Sequence, residues 1–550
     1  EGMTYTLGAK LGTKVEQFAN SDLIIIWGSN SITSNLHFWR YAQEAKRKGA
    51  KLICIDPRKT ETADKCHQHI AILPGTDAAL ALAIMHQLIS NNDLDHDYIQ
   101  NYTLGFEMLR QEAMAWSPEK AALVCGITAQ EIIDLAQEYG ACFRNNKAAA
   151  IRLNYGMQRT KGGGNAVRAV LSLPALIGAW RHAAGGALLS SSSANVARSA
   201  ALQRPDLAKV RRRVINMTTI GDDLLKESSE QWGPAIEAMI IFNSNPAAIA
   251  PESGKVVQGL ARENLFTVVL EHFLTDTTDY ADYVFPATTQ LEHWDIHKAY
   301  GHTDVLLNKP AIAPLGQAKS NTEFFRLLAR EMGLCQAEMT AVFTESDESL
   351  CKTAFDGLID WKVINTQGFV HSSSNDAPFA KGQFPTPSGK CEFYSERLAK
   401  QGISAIPSYI ANYEVPGSDH RYPLAMISPP ARNFLNTTFV NVESLLAIEG
   451  EPYVEISQLD ADKRGITQGD AVRLFNDRGS YICRAHLNHR ARAGVVNALG
   501  IWWRKISLAG TNVNELTSQK LTDMGRAPVF YDCLVEIEKL SDAQFEALGQ

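Results

Sequence analysis

The sequence predicts an α/β protein with two doubly wound units, followed by a C-terminal β-barrel. Three observations carry this. Fully apolar runs alternate with amphipathic helical stretches around residues 21–90 and again around 238–282. Each run stops at a small or turn-forming polar residue. From residue 424 the helical period gives way to short strands separated by turn signals. A chain of 550 residues exceeds one hydrophobic core. The expected domains are 1–187, 188–415 and 416–550.

In the first unit, Ser21–Gly28 reads as a buried strand ending in a tight turn, followed by the polar loop Ser29-Asn30-Ser31. A helix over His37–Lys48 closes at Gly49 with basic residues in its last turn. Lys51–Ile55 is the next strand and Asp56-Pro57 ends it. A third strand, His69–Leu73, stops at Pro74-Gly75, and Thr76 or Asp77 caps the apolar helix Ala78–Ile89. This rhythm is that of a Rossmann-like sheet with right-handed crossovers. Ligands of such sheets lie beyond the carboxyl ends of the strands. Those ends carry Gly28-Ser29-Asn30, Asp56-Pro57-Arg58 and Gly75-Thr76-Asp77. A small residue lets phosphate approach the backbone, and a carboxylate can accept two hydrogen bonds from a guanine edge or a ribose diol. Three such ends in succession favour a nucleotide, although Asp56 and Asp77 taken singly are ordinary turn and cap residues. The spacing is not G-x-G-x-x-G, so an NAD site is not supported.

The second unit repeats the plan. Strand Ala238–Phe242 turns off through Asn243-Ser244-Asn245-Pro246, in the place that Gly28-Ser29-Asn30 occupies in the first unit. A helix over Lys255–Arg262 precedes strand Leu265–Leu270, whose end, Glu271 to Thr277, is dense in carboxylates and hydroxyls. Two crevices suggest two nucleotide moieties; a duplicated scaffold with one inactive site is the alternative.

A loop rich in Pro, Gly and Ser, about 376–390, and a short helical piece at Ser395–Lys400 lead to the last domain. There, Tyr453–Ser457, Ala471–Phe475, Tyr481–Leu487 and Gly494–Leu499 read as strands, with a hairpin turn at Asn476–Gly479. Many short strands indicate a small closed barrel. Asn433, Asn436, Asn512 and Asn514 fall in its loops.

The remaining features exclude several classes. The net charge of −7 argues against a nucleic-acid carrier. Nine cysteines, odd in number and never spaced C-x-x-C, form neither a disulfide framework nor a zinc ribbon nor an iron–sulfur motif. They suggest reduced, buried thiols and a cytoplasmic setting. The longest apolar stretch, Ala169–Trp180, is interrupted by Pro174 and Gly178, so no membrane insertion is expected. His293 and His297 lie four apart beside Glu292, but the H-e-x-x-H zinc pattern fails because Trp294 follows the first histidine.

Taken together, several phrases resemble the molybdopterin oxidoreductase family of the dimethyl sulfoxide reductase and formate dehydrogenase type. They are Ile26-Trp27-Gly28-Ser29-Asn30, Asp56-Pro57-Arg58, Leu73–Leu80, Phe242–Pro246, the stretch Glu271–Asp282 with Pro286-Ala287, Pro429-x-x-Arg432-Asn433 and Asn512–Thr517. The resemblance implies molybdenum or tungsten held by two molybdopterin guanine dinucleotides, under a barrel of double-psi-like form. By position, Trp27, Gly28, Ser29, Asn30, Asp56, Pro57, Arg58, Gly75, Thr76 and Asp77 would serve one dinucleotide. Asn243, Asn245, Pro246, Glu271, Thr275, Asp276 and Asp282 would serve the other. Arg432, Asn433, Asn436, Asn512 and Asn514 would close over the pterins. The implied activity is two-electron chemistry on a small substrate, by oxygen-atom or hydride transfer, with an electron-transfer protein or iron–sulfur subunit as partner. Arg159, His182, Arg198 and His272 are candidates for a substrate funnel.

The family usually opens with a cluster-binding cysteine series and then a metal-ligating Cys, selenocysteine or Ser. No cysteine precedes Trp27, and Gly2–Gly12 resembles the helix that follows that ligand. The chain is therefore expected to begin just after the catalytic residue, with any iron–sulfur cluster in a preceding part. Two other readings stand beside the enzyme: a cofactor-free structural subunit, and a simple nucleotide-binding protein using one crevice.

Overall fold

The computed structural model describes the chain except residues 195–196, 208–209, 211, 300, 335–342, 372–375 and 549–550. Two compact units make up the fold. The first comprises residues 1–191, 248–254 and 375–550, the second residues 192–247 and 255–374. Residues 375–415, expected with the second α/β domain, thus pack with the first unit. Cys391–Glu392 pairs in parallel with Thr103–Leu104, and Phe379, Phe384 and Phe393 enter the same core as Trp27 and Trp180.

The first unit is built on five parallel strands. β1 (Leu23–Trp27), β2 (Lys51–Ile55), β3 (Gln68–Ile70), β4 (Ala149–Leu153) and β5 (Gly186–Leu188) lie in the order β3-β2-β1-β4-β5. Every residue of β1 is buried, which is what a central strand covered on both faces requires. The order reverses between β1 and β4, so the two chains diverge there and leave a crevice at their carboxyl ends. Helix α1 (Leu36–Arg47) connects β1 to β2; Asn35 caps it by accepting from the Phe38 N–H, and Lys46 and Arg47 sit in its last turn. Helix α2 (Asp77–Ser90) follows β3 and buries Asp77 through Met85 continuously, so it is a core helix and not an amphipathic surface one. Helix α3 (Gly163–Leu176) is likewise buried along nearly its whole length.

The second unit contains a parallel sheet of β6 (Ala238–Phe242), β7 (Phe266–Glu271) and β8 (Tyr283–Pro286), with β7 in the middle and four of its six residues buried.

Within the first unit, the C-terminal strands close into a barrel. β9 (Leu424–Ile427), β10 (Tyr453–Ile456), β11 (Ala471–Asn476), β12 (Gly479–Leu487), β13 (Val495–Ala498) and β14 (Leu534–Lys539) run in the order β9-β13-β10-β12-β11-β14 and back to β9. Closure removes exposed sheet edges, and Val454, Val472, Leu474, Tyr481, Val496 and Val535 fill the interior. Eight cysteines are free thiols, seven of them buried; Cys335 lies outside the described residues. No helix among the described residues is long and apolar enough to cross a membrane.

Candidate functional site

The reversal point of the five-stranded sheet opens into a cavity of about 350 Å³. That is within the range of small-molecule sites. Its walls come from the ends of three strands: Gly28 and Asn30 after β1, Asp56, Pro57 and Arg58 after β2, and Asn154, Tyr155 and Gly156 after β4. Gly75 and Asp77 line it from the start of α2. Arg432, Asn436 and Asn514 line it from the barrel loops. Gly28 and Gly75 have φ of 60° and 80°. At Gly75 a β-carbon would lie 2.3 Å from Asn412 Oδ1, so close chain approach and backbone conformation both demand glycine.

The electrostatics are unusual for a solvent-filled cleft. Burial pushes the Asp56 carboxyl up to about 7, with the amide N–H of Arg58 pulling the other way. Burial also pushes Asp77 up to about 6, against the hydrogen bond it accepts from the Trp27 indole at 2.7 Å. Nearby Arg58 offsets the burial of Asp56 only in part, because its guanidinium makes a bidentate pair with Glu455 of β10 at 2.7 and 2.8 Å. Glu455 is 2% exposed and also accepts from Asn497 of β13 at 2.9 Å. Two desolvated carboxylates facing a cavity are hydrogen-bond acceptors awaiting donors.

The structure sorts the remaining expected residues of this unit by what they touch. Trp27, Ser29 and Thr76 stand behind the wall: Ser29 bonds Ser31, and Thr76 donates to the Leu73 carbonyl. Asn30 is at the wall, but its amide donates to Glu61 and its carbonyl accepts from Thr62, which ties the loop after β1 to the short helix Glu61–Lys65 after β2. Asn433 donates from its backbone and side chain to Glu449. Asn512 forms a capping box with Glu515 and donates to the Trp502 carbonyl. Asn433 and Asn512 are therefore turn-fixing residues, not groups at the cavity surface. Asn514 reaches the wall while donating to the Ala248 carbonyl.

Sequence reading missed the β4 contribution, Asn154-Tyr155-Gly156, and also Phe530 and Tyr531, which line the cavity. Arg159, a funnel candidate, lines this cavity, with its guanidinium 5.6 Å from the Phe530 ring centre. Arg198 pairs with Asp356, and a ring nitrogen of His272 lies 3.0 Å from the Thr288 carbonyl oxygen.

In the second unit the strand-end loops converge on Asn245. Its Oδ1 accepts from the backbone and hydroxyl of Thr277 at 3.2 and 2.6 Å, while its Nδ2 is buried with no hydrogen-bond partner among the described residues. Thr275 and Asp276 are buried beside it, at 4% and 2% exposure. Asn243, in a left-handed conformation, accepts from Asn321, and Pro246 starts a short helix. Glu271 ends β7 and accepts from the His272 N–H. Asp282 departs from expectation: it precedes β8, at the amino end of the sheet, and its carboxylate accepts from the Thr267 N–H at the start of β7. That is the end away from the crevice, so its role is to hold strand register.

These features define a dinucleotide-binding α/β protein closed by a barrel, and comparison with known proteins agrees. The model of the molybdopterin oxidoreductase family matches residues 3–331, and that of the molybdopterin dinucleotide-binding domain matches residues 424–534. The chain belongs to the molybdopterin oxidoreductase family and is an enzyme of that class. It is 38% identical to a probable oxidoreductase, YoaE, of Bacillus subtilis, over 98% of this chain and 78% of the relative. It is 27% identical to dimethyl sulfoxide reductase DmsA of Escherichia coli, over 98% of this chain and 75% of that one. Among solved structures, acetylene hydratase from Pelobacter acetylenicus superposes with a TM-score of 0.80 at 21% identity, covering 98% of this chain and 80% of that chain. That last likeness concerns the fold.

Proposed function

We propose that the chain is the catalytic subunit of a molybdenum or tungsten oxidoreductase that holds two molybdopterin guanine dinucleotides, one at the strand ends of each α/β unit. The observation that carries this is the pair of desolvated carboxyl groups, Asp56 and Asp77, at the strand-end cavity, neither of them in an ion pair among the described residues. The partnerless Nδ2 of Asn245 supports a second ligand, because a buried donor without an acceptor is costly. The five-stranded sheet of the first unit and the second unit (192–247 and 255–374) would each bind one dinucleotide, and the barrel of 416–550 would close over the pterins.

When bound, the cofactor supplies a metal that changes oxidation state by two electrons. The protein's share is to bind, orient and insulate. Asp56 and Asp77 accept from a guanine edge or a ribose diol. Gly28 and Gly75 let a diphosphate approach the backbone. Asn436, Asn514 and Arg432 fix the roof from the barrel. Trp27, Ser29, Asn30, Pro57, Arg58 and Thr76 hold these loops in shape, as Asn433 and Asn512 do in the barrel. In the second unit, Asn245 donates to the ligand, with Asn243, Pro246, Glu271, Thr275 and Asp276 around it; Asp282 fixes the sheet. The reaction class is oxygen-atom or hydride transfer to or from a small substrate. An electron-transfer protein or iron–sulfur subunit as partner is supported by a 26%-identical relative in Methanocaldococcus jannaschii whose name describes it as the alpha subunit of a formate dehydrogenase.

The test is the content of molybdenum, tungsten and acid-released GMP per chain, purified from a host that makes the guanine dinucleotide cofactor. Two GMP per chain is the expected result. One GMP would reduce the protein to a single live crevice. None would identify a structural relative that keeps the fold without the cofactor.

A further inference from the structure

The geometry points to Trp27 as a positioning residue that fixes the plane of the Asp77 carboxylate and so makes the first crevice selective for guanine over adenine. This rests on the reading of that crevice as a guanine nucleotide site. Trp27 is the last residue of β1 and is 0% exposed. Its Nε1–H, the one polar group of the side chain, donates to Asp77 Oδ1 at 2.7 Å across 50 residues of sequence. The bond is not a mere consequence of burying an indole in this protein: Trp180 is 2% exposed and its Nε1 is buried with no partner among the described residues. Asp77 in turn opens the 14-residue helix α2, is 6% exposed and lines the cavity. No side chain other than Trp27 hydrogen-bonds to it among the described residues.

A carboxylate reads guanine by accepting two parallel hydrogen bonds, from N1–H and the exocyclic amine. Adenine presents an acceptor at N1 and repels it. Two parallel bonds require a fixed carboxylate plane, whereas one bond does not. The backbone at the helix start fixes only the root of the side chain; the indole pins one oxygen and so sets the rotation of the whole group. Trp27 itself meets no ligand, since it stands behind the wall.

The experiment uses the full chain freed of cofactor, with GMP and AMP as probes, and compares the wild type with Trp27→Phe, Asp77→Asn and the double variant by equilibrium dialysis. Trp27→Phe is expected to weaken GMP about tenfold, the loss of one hydrogen bond's worth of preorganisation, and to leave AMP unchanged. In the Asp77→Asn background the Trp27 substitution is expected to add nothing. Equal losses for GMP and AMP, or equal losses in both backgrounds, would overturn the inference and leave Trp27 a packing residue. An Asp77→Asn protein that binds GMP normally, or a wild type that binds none, would overturn the guanine reading itself. If Trp27→Phe does not fold, the indole N–H resonance of the ¹⁵N-labelled wild type decides. It is expected to shift on adding GMP and not on adding AMP, and an unmoved resonance with bound GMP overturns the proposal.

Discussion

Replacing Asp56 by Asn should stabilise the cofactor-free protein increasingly as pH rises from about 4 to about 7. The carboxyl ionises near 3.8 in an unfolded chain, while burial raises it to about 7 in the native one. Between those values the native state holds more protons than the unfolded state, so stability falls as pH rises. The contribution is whole below the unfolded value and is lost progressively through about pH 7. At about 1.36 kcal/mol for each tenfold change in proton affinity, the rise from 3.8 to about 7 corresponds to up to about 4 kcal/mol, an upper bound because Asp56 keeps some exposure to the cavity. Asn is neutral throughout, keeps an acceptor for the Arg58 N–H that Asp56 binds at 3.0 Å, and has nearly the same shape. Urea unfolding of both proteins at pH 5 and pH 8, followed by tryptophan fluorescence, should show a higher midpoint for Asp56→Asn at both pH values, with a clearly larger difference at pH 8. A variant that is equally destabilised at both pH values would refute the account, because it would mean that the charge is compensated in the native state. The same variant should lose the stabilisation that bound GMP gives the wild type.

Glu455→Ala should cost about 3–5 kcal/mol, since it strands the buried Arg58 charge; the double change Arg58→Met with Glu455→Leu should unfold at nearly the wild-type denaturant concentration. Gly75→Ala should lower stability by roughly 1–3 kcal/mol from its positive φ alone, and adding Asn412→Ala should recover only the part due to the 2.3 Å approach, as read by chemical denaturation. Asn245→Asp keeps the acceptor for Thr277 but removes the buried donor, so acid-released GMP should fall from two to one per chain while the first crevice stays loaded.

The sequence made the apolar strands and their polar stops legible because both signals are local. β1, β2, β6 and β7 are mostly apolar runs, and the loops after β1, β2 and β6 hold Gly28, Asp56 and Asn245. β4 was missed because Arg152 breaks its run. In the fold that arginine is 3% exposed, and its guanidinium donates to the carbonyls of Leu153, Leu188 and Leu189, a solution that pattern reading cannot anticipate. With β4 went Asn154-Tyr155-Gly156 and one wall of the cavity. β5 is only three residues long and gives no periodicity. The barrel asparagines were legible as loop residues but not by role, because the same side chain that suits a ligand also suits a cap; Asn436 and Asn514 reached the cavity, whereas Asn433 and Asn512 went to turns. Asp282 shows the opposite limit: its position in a family phrase said nothing of which end of the sheet it would occupy.

The Arg58–Glu455 pair also has a consequence for when the protein becomes competent. The two residues are separated by 397 positions, so a ribosome adding about 5–20 residues per second takes roughly 20–80 s to supply the second after the first. During that interval the loop carrying Asp56 has a guanidinium whose nearby acidic groups are Asp56 and Glu61 of its own segment, without the bidentate partner and the barrel wall that finish the site. The nascent chain therefore has no finished nucleotide pocket to offer while its leading half is already out of the exit tunnel. If this cavity takes the nucleotide, its capture must wait until Glu455 has been made and the barrel has closed.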